Sequence, residues 1–503
     1  MKNKVDVAII GSGFAGSILA MILAKSGLRI ALIDSMPHPR FAIGESSTPL
    51  ADMILRRLAR LHQLPSLEAL STWGTWQKNH PRLPCGRKRG FSYYRHQRGH
   101  VFSEHQLGEQ SLLVAASAND DVADTHWYRQ EVDSFLFQES LNLGVLEFIG
   151  HRIVAVDRSA EGSYTLHSVH ASGESTIRSD WVIDASGAAG VSAKIMNQPD
   201  LTHKLQTKTR STYAHYKGIG SWTQQLCKLG QDIQQNPFDA DDAAQHHLTE
   251  TGWLWMLRFN NGITSVGLTE WIGEMPTWPE NSSHHLNQCA PRTNESQSLP
   301  RLVEDYPSLA EMTATASFVG PPNGVQSTDR LQRFFNPLLS PRYLMLPTAA
   351  LTLDPLHSTG IAHALAGVDR ILDIILVRSQ GKEQMLAMQQ YETSFLQESR
   401  ILDELVNTAY LTMGDFERFT AACMLYFAGA IACEERYQHG EVPSHLWNTD
   451  DPAFTNFVTR ACAALRDHQE DYQDMISDGL LPWNTAGLMD PGVQNRYAYT
   501  ATK

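Results

Sequence analysis

Residues 5–34 read VDVAIIGSGFAGSILAMILAKSGLRIALID, and the order of turns and apolar runs in this stretch decides the fold. Val5 to Ile10 is an apolar run of the length of a short buried strand. Gly11-Ser12-Gly13-Phe14-Ala15-Gly16 follows, then an apolar helix from Ser17 to about Ser26 that Gly27 stops. Arg29 to Ile33 reads as a second strand, closed by Asp34, which stands 23 positions after Gly11. Strand, glycine turn, helix, strand and terminal acid at this spacing form a βαβ dinucleotide fingerprint. The first glycine makes the tight turn, the second lets backbone N–H groups approach a pyrophosphate, and the third lets helix pack on strand. The helix N-terminus beyond Phe14, Ala15 and Gly16 attracts the diphosphate, with Phe14 and Ala15 among the cofactor-side residues, and Asp34 is placed to accept from a ribose hydroxyl.

The rest of the composition bounds what this unit is attached to. A chain of 503 residues suggests about three folding units and is long enough to bury a large core without covalent staples. Forty-one Lys plus Arg against 54 Asp plus Glu leave a net charge of −13, the wrong sign for a nucleic-acid binder. The six cysteines, at 85, 227, 289, 423, 433 and 462, form no C-x-x-C pair, so no metal site and no dithiol motif is expected. Lys2 and Lys4 ahead of an apolar run imitate a signal peptide, but Asp6 and the three glycines interrupt it. No later run approaches the roughly 20 apolar residues that a bilayer demands. The expectation is a soluble cytoplasmic protein with no membrane and no nucleic-acid partner.

Further motifs follow along the chain. Trp181-Val182-Ile183-Asp184-Ala185-Ser186-Gly187 reads as a second cofactor-side strand, preceded by a polar hairpin-like segment from Gly150 to Arg178. Arg129 opens a helix after Asp124-Thr125-His126-Trp127-Tyr128. Gly44-Glu45-Ser46-Ser47-Thr48-Pro49 comes soon after Asp34, and Lys88 lies in Cys85-Gly86-Arg87-Lys88-Arg89-Gly90-Phe91-Ser92. Gly252-Trp253-Leu254-Trp255-Met256-Leu257-Arg258-Phe259 and Leu353-Asp354-Pro355-Leu356-His357-Ser358-Thr359-Gly360-Ile361 complete the set.

In order and chemistry these motifs resemble the flavin-dependent halogenases, in particular the branch acting on free phenols such as phloroglucinol, within the FAD-dependent monooxygenase-like superfamily. The resemblance spans roughly residues 5 to 375. It implies an α/β fold: a Rossmann-like FAD-binding domain of the para-hydroxybenzoate-hydroxylase (GR2) type, a mixed β-sheet substrate domain and a helical C-terminal region. The corresponding boundaries are 1–190 with 335–380 for the FAD domain, 191–334 for the substrate-side sheet, 381–490 for the helices and 491–503 for a tail. Asn/Ser/Pro-rich stretches such as Trp278 to Pro300 fall in the second of these, and Met385, Met388, Tyr391 and Phe395 begin a helical period in the third.

The resemblance also implies a cofactor and a site. FAD, with Asp184, Gly187 and Arg129 contacting it, is expected rather than NAD. No second glycine fingerprint is present, so reduced FAD is expected from a separate flavin reductase. Glu45 and Ser46 belong to a flavin strap, the Asp354 turn lies beside the flavin ring, and Gly360 and Ile361 begin the helix there. Backbone N–H groups of Ser358, Thr359 and Gly360 form a halide site, which agrees with the unpaired donors of any helix start, though an ordinary Ser/Thr N-cap reads the same way. Trp253 and Trp255 face the substrate side. Lys88 is the catalytic lysine that takes oxidised halogen from hypohalous acid made with O2 and chloride or bromide; without the resemblance it reads as one charge of a basic surface loop. Arg129 likewise reads as a helix-start surface residue on its own.

Two departures bear on the chemistry. The family's tryptophan motif ends in Ile-Pro where this chain has Leu257 and Arg258. His357 stands where the tryptophan-specific branch has glutamate and the phenolic branch an apolar residue; it reads either as a base toward a phenol or as a hydrogen-bonded supporting residue. The expected activity is halogenation of an electron-rich, phenolic aromatic in secondary metabolism. A flavin monooxygenase hydroxylating a peptidyl or carrier-bound aromatic, favoured by Arg258, is the alternative, and a flavoprotein that matures a partner protein is another. The expected partners are the aromatic substrate, the reductase and, in a homodimer, a second copy of the chain.

Overall fold

The computed structural model describes residues 4–273, 299–377 and 381–498. The opening fingerprint folds in the expected order, strand Lys4–Ile10, helix Phe14–Lys25 and strand Ile30–Asp34, with the helix starting three residues before Ser17. Ile10 pairs in parallel with Ile33 on one side and with Asp184 on the other. Around this core the first sheet runs Leu338–Ser340, Tyr343–Met345, Gly173–Asp184, Lys4–Ile10, Ile30–Asp34, Leu146–Ile149. The five strands from Tyr343–Met345 onward are parallel, and the central ones, Lys4–Ile10 and Ile30–Asp34, are mostly buried, apolar runs because both faces are covered. Arg152–Arg158 and Tyr164–His170 add the expected hairpin. Ile10, Asp34, Asp184 and Met345 all lie at carboxyl ends, so their following loops open on one side of the sheet, where open α/β sheets bind ligands.

The second sheet is mixed and runs Ser317–Gly320, Thr209–Lys217, Ile263–Trp271, Gly252–Arg258, Ala243–Leu248, Gly90–Arg95, Ser111–Ala115, Arg496–Tyr497. Two of its strands come from inside the stretch assigned to the FAD domain, and one comes from the stretch read as a tail. The expected discontinuous FAD domain is interrupted once more, because the chain threads into the second sheet at 90–115 before returning to the first. Residues of Gly252–Arg258 alternate with period two. Trp253, Trp255 and Leu257 join the main core, while Leu254 and Met256 join a second cluster on the opposite face.

Four helices complete the chain: Lys382–Thr412, Phe416–Gln438, Pro452–Arg466 and Tyr472–Leu480. Asp415 and Asp451 cap two of them by accepting first-turn amides. Phe416–Gln438 is apolar and long enough to cross a bilayer, but 83% of its apolar window is buried inside the protein. Met388, Tyr391 and Phe395 are buried as the period requires, whereas Met385 is 53% exposed on the first turn. Of the Trp278–Pro300 stretch, all but the last two residues lie outside the described residues, Cys289 among them.

Candidate active site

The loops at the carboxyl ends of the parallel strands line a cavity of about 970 Å³. Gly11, Gly13, Phe14 and Ala15 form one wall, and Asp34, Arg129, Gly187, Asp354, Gly360 and Ile361 also face it. The glycines test whether a dinucleotide fits. A Cβ on Gly11 (φ +112°) would lie 2.4 Å from the Ala185 carbonyl oxygen, and one on Gly16 would lie 2.0 Å from the Gly11 carbonyl oxygen. The protein's own packing demands both, and Gly16 does its work away from the cavity. At Gly13 the nearest atom to a Cβ is Asp133 Oδ2 at 3.5 Å, an ordinary contact. Nothing in the protein forbids a side chain there; a ligand approaching the helix N-terminus does. The cavity thus fits FAD, whose diphosphate the backbone at Gly13 and the first turn of Phe14–Lys25 would hold.

The polar groups around this wall are fixed by one another. Asp34 Oδ2 accepts from Ser12 N, Ser12 Oγ and Arg40 Nη2 (2.9, 2.9 and 2.6 Å), which orients the carboxylate at the cavity edge. Arg129 makes a bidentate pair with Asp133 at 2.7 Å and stacks over Phe14. Its Nη1 donates to the carbonyls of Ile43 and Gly44, so it is buried and ties the strap to the pyrophosphate turn, not a surface helix start. Glu45 is anchored by His215 Nε2 at 2.8 Å, both side chains buried, and Ser46 bridges to His126. Asp184 is the exception: its carboxylate accepts from the amides of Ser186 and Ser192, and it does not line the cavity. The expected cofactor contact passes to the loop it shapes, Ala185–Gly187.

Asp354 is buried at the cavity wall, where Tyr410, Thr209 and the Leu356 amide donate to it. Trp253 Nε1 donates in turn to Tyr410 at 2.8 Å, so the helical region, whose Leu402 also lines the cavity, is tied to Asp354 through this tyrosine. Burial pushes the Asp354 carboxyl up to about 6 in spite of these donors. Ser358 takes a left-handed conformation (φ +53°), and its amide donates to Pro355 O, so it is not a halide donor. Helix Gly360–Leu372 begins beyond it with Thr359 as N-cap and no side-chain cap hydrogen bond, and its first residues, Thr359 to Ile361, line the cavity.

Lys88 ends strand Cys85–Lys88, paired antiparallel to Asp124–Trp127. Glycines on either side of Lys88 allow close packing: a Cβ on Gly86, in this strand, would lie 1.9 Å from Arg258 O, and one on Gly90, which starts the next strand, would lie 2.2 Å from Val114 O. Arg87 turns outward to Asp120 and Asp242, and Arg89 to Asp120 and Ser117. Of the three successive cations only Lys88 points inward. It is fully buried, donates to Ser47 O at 2.5 Å and lies 3.9 Å from the centre of the Phe91 ring. Its charge reaches His126 and His246, whose imidazoles burial already holds down at about 3. His246 lines the flavin cavity; Phe91 lines a separate small apolar compartment with Val114, Tyr426 and Phe427. Lys88 lines neither; it lies on the Phe91 ring, and its charge reaches His246.

His357 is also fully buried, stacked on Tyr426 with ring centroids 4.2 Å apart and planes 7° apart. Neither ring nitrogen has a hydrogen-bond partner among the described residues. Leaving a buried polar group unpaired costs about 1–3 kcal/mol. Burial, with His246 adding a little, holds this imidazole down at about 3, so it is neutral. The reading of His357 as a hydrogen-bonded supporting residue does not hold among the described residues.

Arg258 points away from the cavity. It donates to the carbonyls of Ile219 and Gly220 and pairs with Asp241 on the far face of the second sheet. Leu257, not Arg258, occupies the cavity wall beside Trp253 and Trp255. Gly267 makes room for the Trp255 ring, which a Cβ there would approach to 2.1 Å. His246, Tyr410 and Arg40 were missed in the sequence. His246 had one signal, since in Gly90–Arg95 and Ala243–Leu248 the alternate residues Phe91, Tyr93, Ala244 and His246 share a face. Tyr410 had none, because its partner lies 56 residues away in another element.

The FAD binding domain family matches residues 4–217. Over 489 residues the chain is 25% identical to the monodechloroaminopyrrolnitrin halogenase PrnC of Pseudomonas fluorescens, covering 94% of this chain and 80% of that one. It is 25% identical over 436 residues to the tetracycline 7-halogenase of Kitasatospora aureofaciens, covering 85% and 73%. In three dimensions the crystal structure of halogenase PltM with phloroglucinol and FAD superposes with a TM-score of 0.82 at 22% identity, over 99% of this chain and 100% of that one. Cavity, glycine turn and matched domain define an FAD-dependent oxidoreductase. Along most of its length the chain is similar to flavin-dependent halogenases.

Proposed function

We propose that this enzyme halogenates an electron-rich, phenolic aromatic, with Lys88 delivering the halogen. The observation that carries the reading is the position of Lys88: a single inward cation of the Arg87-Lys88-Arg89 triplet, fully buried on the Phe91 ring, its charge reaching His246 on the wall of the flavin-sized cavity. Bound reduced FAD, with O2, supplies the two-electron oxidation of chloride or bromide to hypohalous acid. The amides opening helix Gly360–Leu372 hold the halide at the cavity wall. The Lys88 ammonium then holds the hypohalous acid by a hydrogen bond beside the ring. The oxygen–halogen bond breaks as the carbon–halogen bond forms, and the oxygen leaves with the ring proton as water. Neutral His126 and His246 do not compete with Lys88 for charge. Trp253, Trp255 and Leu257 wall the cavity with apolar surface that keeps bulk water from the oxidant. With Arg258 turned to Asp241, the feature on which hydroxylation rested is removed from the flavin side. Reduced FAD comes from a separate reductase, since the one glycine fingerprint is committed to FAD.

The test is mass spectrometry of a phenol panel incubated with enzyme, FAD, a flavin reductase, NADH, O2 and bromide. Brominated product is expected, and Lys88→Ala should lower its yield per flavin oxidised by at least ~10³-fold, roughly 4 kcal/mol of transition-state stabilisation. Lys88→Arg should not restore it, because guanidinium is bulkier and differently shaped. Hydroxylated product whatever the halide overturns the halogenase reading, and full yield from both variants overturns the role of Lys88. NADH consumed rapidly by the enzyme alone overturns the separate reductase.

A further inference from the structure

We propose that Trp255, Trp253, Tyr410 and Trp271 form an electron-transfer path that carries oxidising equivalents from the cofactor cavity to the protein surface. The path needs bound FAD and is independent of whether the enzyme halogenates. A dinucleotide with its ribose at Asp34 and its diphosphate at Gly13 extends from the first sheet toward the second, whose Trp253 and Trp255 line the same cavity. The two indoles stand 5.9 Å apart. Trp253 Nε1 donates to the Tyr410 hydroxyl at 2.8 Å, and that hydroxyl donates to Asp354 Oδ2 at 3.0 Å. The Tyr410 ring meets Trp271 with centroids 5.6 Å apart. Trp253 and Tyr410 are fully buried. Trp271 is only partly buried; it ends strand Ile263–Trp271 and precedes Ile272, which is 36% exposed.

Indole and phenol rings give up an electron far more readily than phenyl or aliphatic groups, which would fill the same core. A phenol does so when its proton has somewhere to go, and a hydrogen-bonded carboxylate is such an acceptor. Burial raises the Asp354 carboxyl to about 6, which makes it a stronger base than an ordinary aspartate. A one-electron oxidant in the cavity, such as a radical escaping the reaction with O2 or a photoexcited flavin, takes an electron from Trp253, directly or through Trp255. Tyr410 returns that electron across its hydrogen bond, and its O–H proton passes to Asp354. Trp271 refills Tyr410, which takes the proton back, and a small thiol at the surface refills Trp271. Each pass gives the oxidant one electron; two passes turn a dithiol into a disulfide and release its two protons. Tyr213 also lines the cavity, 6.2 Å from Trp255, but the ring stacked on it is Phe41, so that branch offers no comparable next step. The function is protective: oxidising equivalents that miss the substrate leave the cavity by way of the protein's edge.

Flash photolysis of the FAD-loaded protein tests the path, because blue light turns the oxidised flavin into a one-electron oxidant in place. In wild type the flavin fluorescence should be quenched, and a tryptophan or tyrosine radical should outlast the quenching. Steady light with dithiothreitol and no O2 should reduce the FAD. Trp271→Phe and Tyr410→Phe keep an aromatic ring at each place, so quenching by Trp253 and Trp255 should stay while the long-lived radical and the steady reduction are lost. Trp271→Tyr, which restores an oxidisable ring, should recover both. A second measurement uses wild type alone: after illumination with O2 and no thiol, peptide mass spectrometry should find oxidation at Trp271 ahead of Trp253 and Trp255. Unquenched fluorescence in wild type, a long-lived radical kept by Trp271→Phe, or oxidation confined to the cavity tryptophans overturns the proposal. Failure of the phenol panel to give brominated product overturns the halogenase reading alone and leaves these signals in place.

Discussion

Asp354 shows how much one buried residue is asked to carry. Desolvation favours its neutral form, and Tyr410, the Leu356 amide, Thr209 and Trp253 each donate toward the ionised one; burial wins and leaves the carboxyl at about 6. An acid whose folded value stands above its ordinary 3.8 binds protons more tightly folded than unfolded. Its protonated form contributes stability that is present at low pH and lost as pH rises through about 4 to about 6. Asp354→Asn cannot ionise, so it escapes that loss. Urea unfolding of the apoproteins should show the variant gaining on wild type by roughly 2–3 kcal/mol between about pH 4 and pH 7. A difference that does not move with pH would mean that Asp354 keeps an ordinary value. Lys88 and His357 were legible as residues because short motifs surround them, but their surroundings were not. That Arg87 and Arg89 face outward depends on Asp120 and Asp242, which no local pattern ties to them.

At the scale of elements, the fingerprint was readable in full because every interaction it needs is local: strand, turn, helix and strand fall within residues 4–34. The second sheet was not, since its register couples Gly90–Arg95 to Ala243–Leu248 across some 150 residues. The glycines separate the two kinds of constraint. Gly86→Ala puts a methyl group 1.9 Å from a backbone oxygen of the neighbouring strand, which must shift. It should destabilise the apoprotein by about 1–3 kcal/mol or more and displace Lys88 with its strand. Gly13→Ala meets only ordinary contacts, so its apoprotein should unfold at the same urea concentration as wild type while FAD affinity falls at least tenfold, about 1.4 kcal/mol. Calorimetric FAD titration beside urea melts checks both. Equal stability of the two apoproteins would refute the packing argument for Gly86, and undiminished FAD binding by Gly13→Ala would refute the cradle.

At the scale of the whole molecule, the segment read from composition as a tail is instead the outer strand of the second sheet. Arg496 and Tyr497 pair in parallel with Leu113 and Val114, on the strand next to the one carrying Phe91. Composition could not reveal this, because a two-residue strand has no period to read and its partner lies nearly 400 residues earlier. Arg496 is nine-tenths buried, donates to Ser111 O and Ser111 Oγ at 3.0 and 2.6 Å, and pairs with Glu104 at 3.4 Å. Tyr497 is buried too, its hydroxyl accepting from the Met489 amide. Burial alone would pull the guanidinium toward its neutral form, and Glu104 opposes this, so the two charges depend on each other. Removing one partner of such a pair strands the other charge in low dielectric and typically costs 3–5 kcal/mol. Arg496→Ala should therefore destabilise the protein by about 2–4 kcal/mol, less than the full range because Ser111 Oγ and the Gln110 amide still donate to Glu104. Arg496→Ala with Glu104→Gln should recover part of the loss by removing the stranded charge, an outcome that truncated packing alone would not give. Urea unfolding of wild type, the single variant and the double variant measures all three. If the single variant unfolds with wild type, the segment is a tail in energetic terms. If the double variant is no better than the single, the pair contributes by contact and not by charge.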